Sequence, residues 1–151
     1  MANKFLTDLA RITQPGQLEP VKTGIREANN DLADAQLNLN TARLALAAQD
    51  LSGSFSMAYL AARKCVQAVL AAHGMRVRSG TKTHLVFVSV TKASIFTSGV
   101  WVRLDWMRTV RNNADYPKVD AQKTSGRDCE EAIAAAHLML EDAKRILGTL
   151  R

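Results

Sequence analysis

Apolar residues recur along this chain at spacings of three and four, the signature of helices that each bury one face. Phe5, Leu6, Leu9 and Ile12 predict a short helix over residues 2–13, broken by Pro15-Gly16. A long helix is expected to begin near Pro20, since proline is tolerated in a first turn and Glu19 suits the helix dipole. Its stripe of Ile25, Ala28, Leu32, Ala35, Leu39, Ala42 and Leu46 alternates threes and fours, as in a helix packed along a straight seam. About thirty such residues span about 45 Å. Leu51-Ser52-Gly53 marks a break, with Ser52 or Ser54 as the next cap. A second helix follows, carrying Phe55, Ala58, Tyr59, Ala62, Cys65, Val66, Val69 and Leu70, with His73 in its last turn and Gly74 as its stop signal.

The second half is less regular. Met75 to Thr83 reads as a short basic loop, either an ordinary solvated surface or an anion-binding lip, and Thr83 is placed to cap a helix with His84 near its start. Within residues 85–96, β-branched residues dominate Leu85–Thr91, enough for a strand by propensity alone. No convincing strand partner exists elsewhere, and an isolated strand leaves its backbone groups unsatisfied, so a helix is expected. After Ser98-Gly99, Trp101, Leu104, Met107 or Trp106, Val110 and Ala114 predict a helix whose tryptophans are core or interface anchors. Pro117 ends it near Asp115 by forcing Tyr116 from helical geometry. The last helix starts at a Ser125–Asp128 capping pair and carries Cys129, Ile133, Ala136, Leu140, Ala143 and Leu147, with Lys144-Arg145 near its end before Gly148. His137 adjoins that stripe and is read as structural. The expected fold is all-α: a single-domain antiparallel helical bundle of four to five main helices over residues 18–151, with residues 1–17 as a short N-terminal helix or arm.

Composition sharpens this outline. The chain's 151 residues suffice for one core without staples, and 47% are hydrophobic. Cys65 and Cys129 lie in apolar helical stretches with no CxxC or Cys/His pairing, so they read as small buried thiols. Lys4, Asp8 and Arg11 interrupt the N-terminal apolar residues, which argues against a signal peptide, and no apolar run has the length of a membrane span. A cytoplasmic location is expected. The net charge of +6 is unevenly spread: residues 63–127 hold twelve Lys/Arg against three acids. Such a centre suggests a partner rich in phosphate or carboxylate, the bland alternative being a chance clustering of solvated cations.

The densest concentration of mixed polar chemistry is Arg108 to Pro117. Arg111 and Asp115 are four apart and share a helix face, as do Asn112 and Tyr116 if the last turn survives. Arginine before aspartate is the weaker orientation for helix stability, so stability is a poor reason for the pair. An ordinary helix end and a functional site both remain open on these grounds.

Ala58-Tyr59-Leu60-Ala61-Ala62, Ala68 to Gly74, Lys82-Thr83-His84 and Arg111-Asn112-Asn113-Ala114-Asp115-Tyr116 together resemble the HEPN superfamily, over about residues 20–148. The final motif is most similar to that of its small stand-alone prokaryotic members. The resemblance implies a bundle of four or five helices, usually a homodimer. Some such proteins are metal-independent endoribonucleases and toxins of toxin–antitoxin pairs, partnered by a small nucleotidyltransferase. Others are non-catalytic modules that bind nucleic acid, a nucleotide or a partner protein. No cofactor is implied.

The ribonuclease members resemble one another in an arginine, often followed by asparagine, with a histidine four to six residues on. Arg111 and Asn112 match, but Tyr116 stands where the histidine is expected. Tyrosine, with a pKa near 10, is a poor base for activating a 2′-hydroxyl, whereas histidine suits it. The candidate catalytic set is therefore Arg111 as phosphate clamp, Asn112 as an orienting hydrogen-bonder, Asp115, and Tyr116 or His84 for proton transfer. Arg76, Arg78, Lys82, Arg108 and Lys118 are candidate nucleic-acid contacts.

Overall fold

A computed structural model of the chain describes residues 2–22, 24–80, 82–115 and 123–150. Among them are six helices: α1 (Ala2–Ile12), α2 (Ile25–Ala47), α3 (Leu51–Ala72), α4 (Thr83–Val90), α5 (Val100–Asp115) and α6 (Gly126–Gly148). Two short strands, β1 (Leu18–Pro20) and β2 (Met75–Val77), pair antiparallel with Glu19 opposite Arg76. The expected all-α bundle is the observed architecture.

The seam stripes do the packing foreseen for them. On α2, Ala28, Leu32, Ala35, Leu39 and Ala42 are buried, while Ile25 at the helix start is 38% exposed. The alanines let α3 approach closely, and α2 with α3 forms the most extensive helix pairing. On α6, Cys129, Ala136, Leu140, Ala143 and Leu147 are buried and pack on α3 and α2. Only three residues join α2 to α3, which makes them an antiparallel hairpin. Phe5 and Leu9 of α1 enter the same core, where Phe5 packs against His73 and Phe96. Both cysteines are free and buried, as expected of packed thiols. Among the described residues, no helix is long and apolar enough to cross a membrane.

Several boundaries differ from the sequence expectation. Pro20 starts no helix: it ends β1, and the pairing extends through Val21 N–H donating to the Gly74 carbonyl at 2.9 Å. Gly74 adopts φ +72, the left-handed turn that reverses the chain from α3 into β2. The break before α3 is capped by Asp50, which accepts from Gly53 N–H at 3.0 Å. Ser54 instead lies fully buried and donates to the Ala42 carbonyl at 2.8 Å. Lys82, at φ 72, rather than Thr83, is the cap residue of α4, and Thr83 Oγ1 donates back to the Gly80 carbonyl at 2.6 Å. The helix expected over 85–96 stops at Val90, and residues 91–99 form turns. Trp106 packs edge-on to Phe55 near the core, but Trp101 is 39% exposed beneath the Lys92 ammonium. The Ser125–Asp128 capping box is present as expected.

The turns at 91–99 join α4 to α5 and are held by two matching carboxylate clamps. Asp8 of α1 accepts from the backbone N–H and hydroxyl of Ser94, at 3.1 and 2.8 Å, and pairs with Arg11. Asp142 of α6 accepts from the backbone N–H and hydroxyl of Thr97, at 2.7 and 2.9 Å, and pairs with Arg145. Arg145 also donates to the Ile95 carbonyl at 2.8 Å. These clamps hold the connection between α4 and α5, the helices that carry His84 and Arg111.

A tyrosine–histidine site ringed by arginines

Three helices converge on Tyr59. Its ring, on the inward face of α3, is 1% exposed, and its hydroxyl lies 2.7 Å from His84 Nδ1 at the start of α4. The two rings stack at 18° with centroids 5.6 Å apart. Arg111, from the end of α5, places its guanidinium 5.5 Å from the Tyr59 ring centroid. Arg63, one turn beyond Tyr59 on α3, sits 5.8 Å from that centroid and 5.7 Å from the Phe87 ring. Its Nη1 is nearly equidistant from the two His84 nitrogens, at 3.4 and 3.5 Å, and so lines up with neither diverging lone pair. Arg63 Nε is buried and has no hydrogen-bond partner among the described residues. Arg108, one turn before Arg111, acts electrostatically on Tyr59 and His84 and is itself ion-paired with Asp105, Nη2 to Oδ1 at 2.9 Å.

The electrostatics follow from this crowding. Burial, then the repulsion of Arg63, Arg111 and Arg108, holds the His84 pKa below its ordinary value, so the ring is neutral at pH 7. Burial pushes the Tyr59 phenol up to about 12 against the pull of the same arginines, so the hydroxyl keeps its proton. Burial, followed by Arg111, also lowers the Arg63 pKa. A neutral imidazole surrounded by guanidiniums that repel one another is a setting in which an anion lowers the energy of every neighbour.

The structure thus brings together two residues far apart in sequence, His84 and Arg111, with Arg108 beside them. Asn112 is exposed, one residue on from Arg111. Asp115 is the last residue of α5, and Tyr116 and Lys118 lie outside the described residues. Arg76 and Arg78 sit on or beside β2, where both face Glu19: Arg76 Nε bonds its carboxylate, and Arg78 Nε lies 3.9 Å away. Lys82 is exposed next to His84.

The HEPN domain family model matches residues 22–146. The chain belongs to the HEPN family. No curated protein matches it. The HEPN match runs from just before α2 into the last turn of α6, so Tyr59, Arg63, His84, Arg108 and Arg111 all fall inside it, while α1 and β1 precede it.

Sequence reasoning did not single out two members of this cluster, Tyr59 and Arg63, as candidate site residues, because both fall on or beside the apolar stripe of α3. A signal was available. A tyrosine in a core stripe needs a partner for its hydroxyl, and an arginine four residues later shares its face.

Proposed function

We propose that this HEPN protein binds RNA through a backbone phosphate at the Tyr59–His84 site and cleaves it there without a metal ion. The observation carrying this reading is the junction of His84 with the Arg63 and Arg111 guanidiniums around one tyrosine ring. It supplies the histidine that Tyr116 does not. In the reaction, His84 accepts the 2′-hydroxyl proton, the freed oxygen bonds to the neighbouring phosphorus, and the 5′-oxygen departs and is protonated. A 2′,3′-cyclic phosphate and a 5′-hydroxyl end result. Arg63 and Arg111 stabilise charge growing on the phosphoryl oxygens, and Asn112 with Tyr116 orients the strand at the end of α5.

The Tyr59 hydroxyl decides whether this can happen. For Nε2 to be the base, Nδ1 must carry the proton and donate it to Tyr59 Oη. If the hydroxyl donates to Nδ1 instead, Nε2 carries the proton and only donates a hydrogen bond to the phosphate. The phenol keeps its proton in both arrangements, and its hydroxyl can take either role. The second arrangement supports the second reading, a non-catalytic HEPN module that holds RNA, a nucleotide or a partner nucleotidyltransferase. In the wider setting we propose a homodimeric, cytoplasmic, prokaryotic toxin countered by such a nucleotidyltransferase. The exposed Leu37, Leu44 and Val102 support a further surface being covered in an assembly.

The test incubates RNA with purified protein in EDTA, comparing wild type with Arg111→Ala, His84→Ala and Tyr116→Phe. Cleavage abolished by Arg111→Ala and His84→Ala but kept by Tyr116→Phe supports the ribonuclease with His84 as base. Salt-sensitive binding without cleavage, weakened by Arg111→Ala, supports the binding module. Absence of both refutes the RNA reading.

A further inference from the structure

Behind Phe87 a cavity of about 580 Å³ opens between the first turns of α2, the later turns of α3 and β2. Two features tie it to the site above. Phe87 lies in its wall and carries the Arg63 guanidinium on its ring, and Gln67, also in the wall, follows Arg63 by one helical turn. The cavity is large enough for a small ligand and has an apolar floor that includes Met75 and Ala71.

Its polar wall has a defined donor and acceptor pattern. Gln67 Nε2 donates to Asp31 Oδ1 at 3.1 Å. A carboxylate only accepts, so the Gln67 amide must use its nitrogen there, which settles its orientation. Among the described residues its Oε1 and the second Asp31 oxygen have no other hydrogen-bond partner, and they remain as acceptors beside that bond. Partial burial raises the Asp31 pKa, so its carboxylate is incompletely hydrated and gains from an incoming donor. Glu27, one turn before Asp31, also lines the cavity, and the two carboxylates offset Lys22 and the Glu19-paired Arg76 in the same wall, so the wall has no net positive charge to hold a phosphate. Lys22 supplies a cationic donor at the wall.

Two adjacent acceptors match one standard base. The Watson–Crick edge of guanine offers N1–H and N2–H side by side, next to the O6 acceptor. Adenine, cytosine and uracil place an acceptor beside their single donor group. Single-stranded RNA is read in this way, with the base splayed into a pocket and bonded along its edge.

We propose that this cavity is a guanine subsite for the RNA nucleotide next to the phosphate held by Arg63 and Arg111, with Asp31 and Gln67 reading the base edge. The inference rests on the RNA reading above and adds base specificity to it.

The experiment measures binding of uncleavable 2′-O-methyl uridine nonamers carrying one central guanosine, inosine or adenosine, or no substitution, by fluorescence polarisation. Guanosine is expected to bind about tenfold tighter than adenosine or uridine, the usual discrimination of a paired hydrogen-bond contact. Inosine, which lacks the N2 amino group, loses most of that gain. Asp31→Asn removes the guanosine preference while leaving the all-uridine nonamer bound as by wild type. The inosine arm requires no protein variant and is independent of any folding defect. Free GMP separates the two possible sources of the base, and it is expected to bind more weakly than the guanosine nonamer. GMP binding as tight as the nonamer and unchanged by Arg111→Ala would assign the pocket to a free nucleotide and overturn the RNA subsite. Equal binding of all four nonamers by wild type overturns the subsite alone, and no binding of any nonamer overturns the RNA reading as well.

Discussion

Replacing Arg63 by methionine separates what this arginine does for a ligand from what it does for the fold. The side chain gives the folded state two cation–π contacts, at 5.8 Å to Tyr59 and 5.7 Å to Phe87, each worth about 0.5–1 kcal/mol. Against them stand a buried Nε without a partner among the described residues, costing about 1–3 kcal/mol, and repulsion from Arg111. Methionine keeps the length of the stem, packs on the same rings and recovers about 0.3–1.5 kcal/mol of sulfur–aromatic contact. The balance is a stabilisation of about 1 kcal/mol, or about 2–4 °C in a melting experiment on a domain of this size. The same change removes the nearest cation from His84, so the His84 pKa rises towards its ordinary value, a shift that histidine-ring NMR titration reads directly. RNA binding weakens by roughly tenfold or more, the worth of one charge-assisted hydrogen bond. A melting temperature several degrees below wild type, or a His84 titration that does not move, would refute the reasoning.

Other predictions follow from the same geometry. Asp142→Ala strips the Thr97 N–H and hydroxyl of their buried acceptor, while the exposed Arg145 remains solvated, and is expected to cost about 1.5–3 kcal/mol, read by urea denaturation; a loss below about 0.5 kcal/mol contradicts the clamp. His84 is neutral when folded, whereas an unfolded ring takes a proton near pH 6.5. Stability therefore falls as pH drops below 6.5, and levels off once the folded ring is protonated, a component absent in His84→Gln. The acid limb of any cleavage profile is expected below 6.5 for the same reason, and a limb above that value removes His84 as the base. The Cys65 thiol, pushed up to about 12 by burial, and the buried Cys129 are expected to resist a disulfide reagent at pH 8 until urea unfolds the chain. Native-state labelling at the rate of a free thiol counts against that burial.

What could be read in the sequence was what depends on local periodicity. The α2 stripe contains every buried residue of that helix, because a helix repeats every 3.6 residues whatever surrounds it. The α6 stripe misses Ala132, Ala135, Met139, Asp142 and Ile146, since α6 buries a wider face than a single seam. The Ser125–Asp128 cap was legible because both partners lie within four residues. Pro20 was misplaced because its role depends on Met75, a partner more than fifty residues away, and a three-residue strand leaves no periodic trace. The end of α4 at Val90 had a similar cause: Asp8 and Asp142 clamp the following turns from opposite ends of the chain. For the candidate site, the segment holding Arg111 stood out by composition. The tyrosine and arginine of α3 did not, since a single histidine 25 residues further on gives Tyr59 its partner.

The two clamps also have a consequence for the order in which the molecule comes into being. The α2–α3 hairpin is local and can form as soon as both helices have been synthesised. The spacing of α4 and α5 cannot be fixed so early, because one of the carboxylates holding their connection is Asp142, in the second half of the last helix. A chain halted before that residue has Tyr59, Arg63, His84 and Arg111 all present, yet lacks the clamp at Thr97 that sets α5 against α4. Synthesis therefore delivers the helices first and the assembled arginine ring last, so a truncated product is expected to carry every site residue without the site.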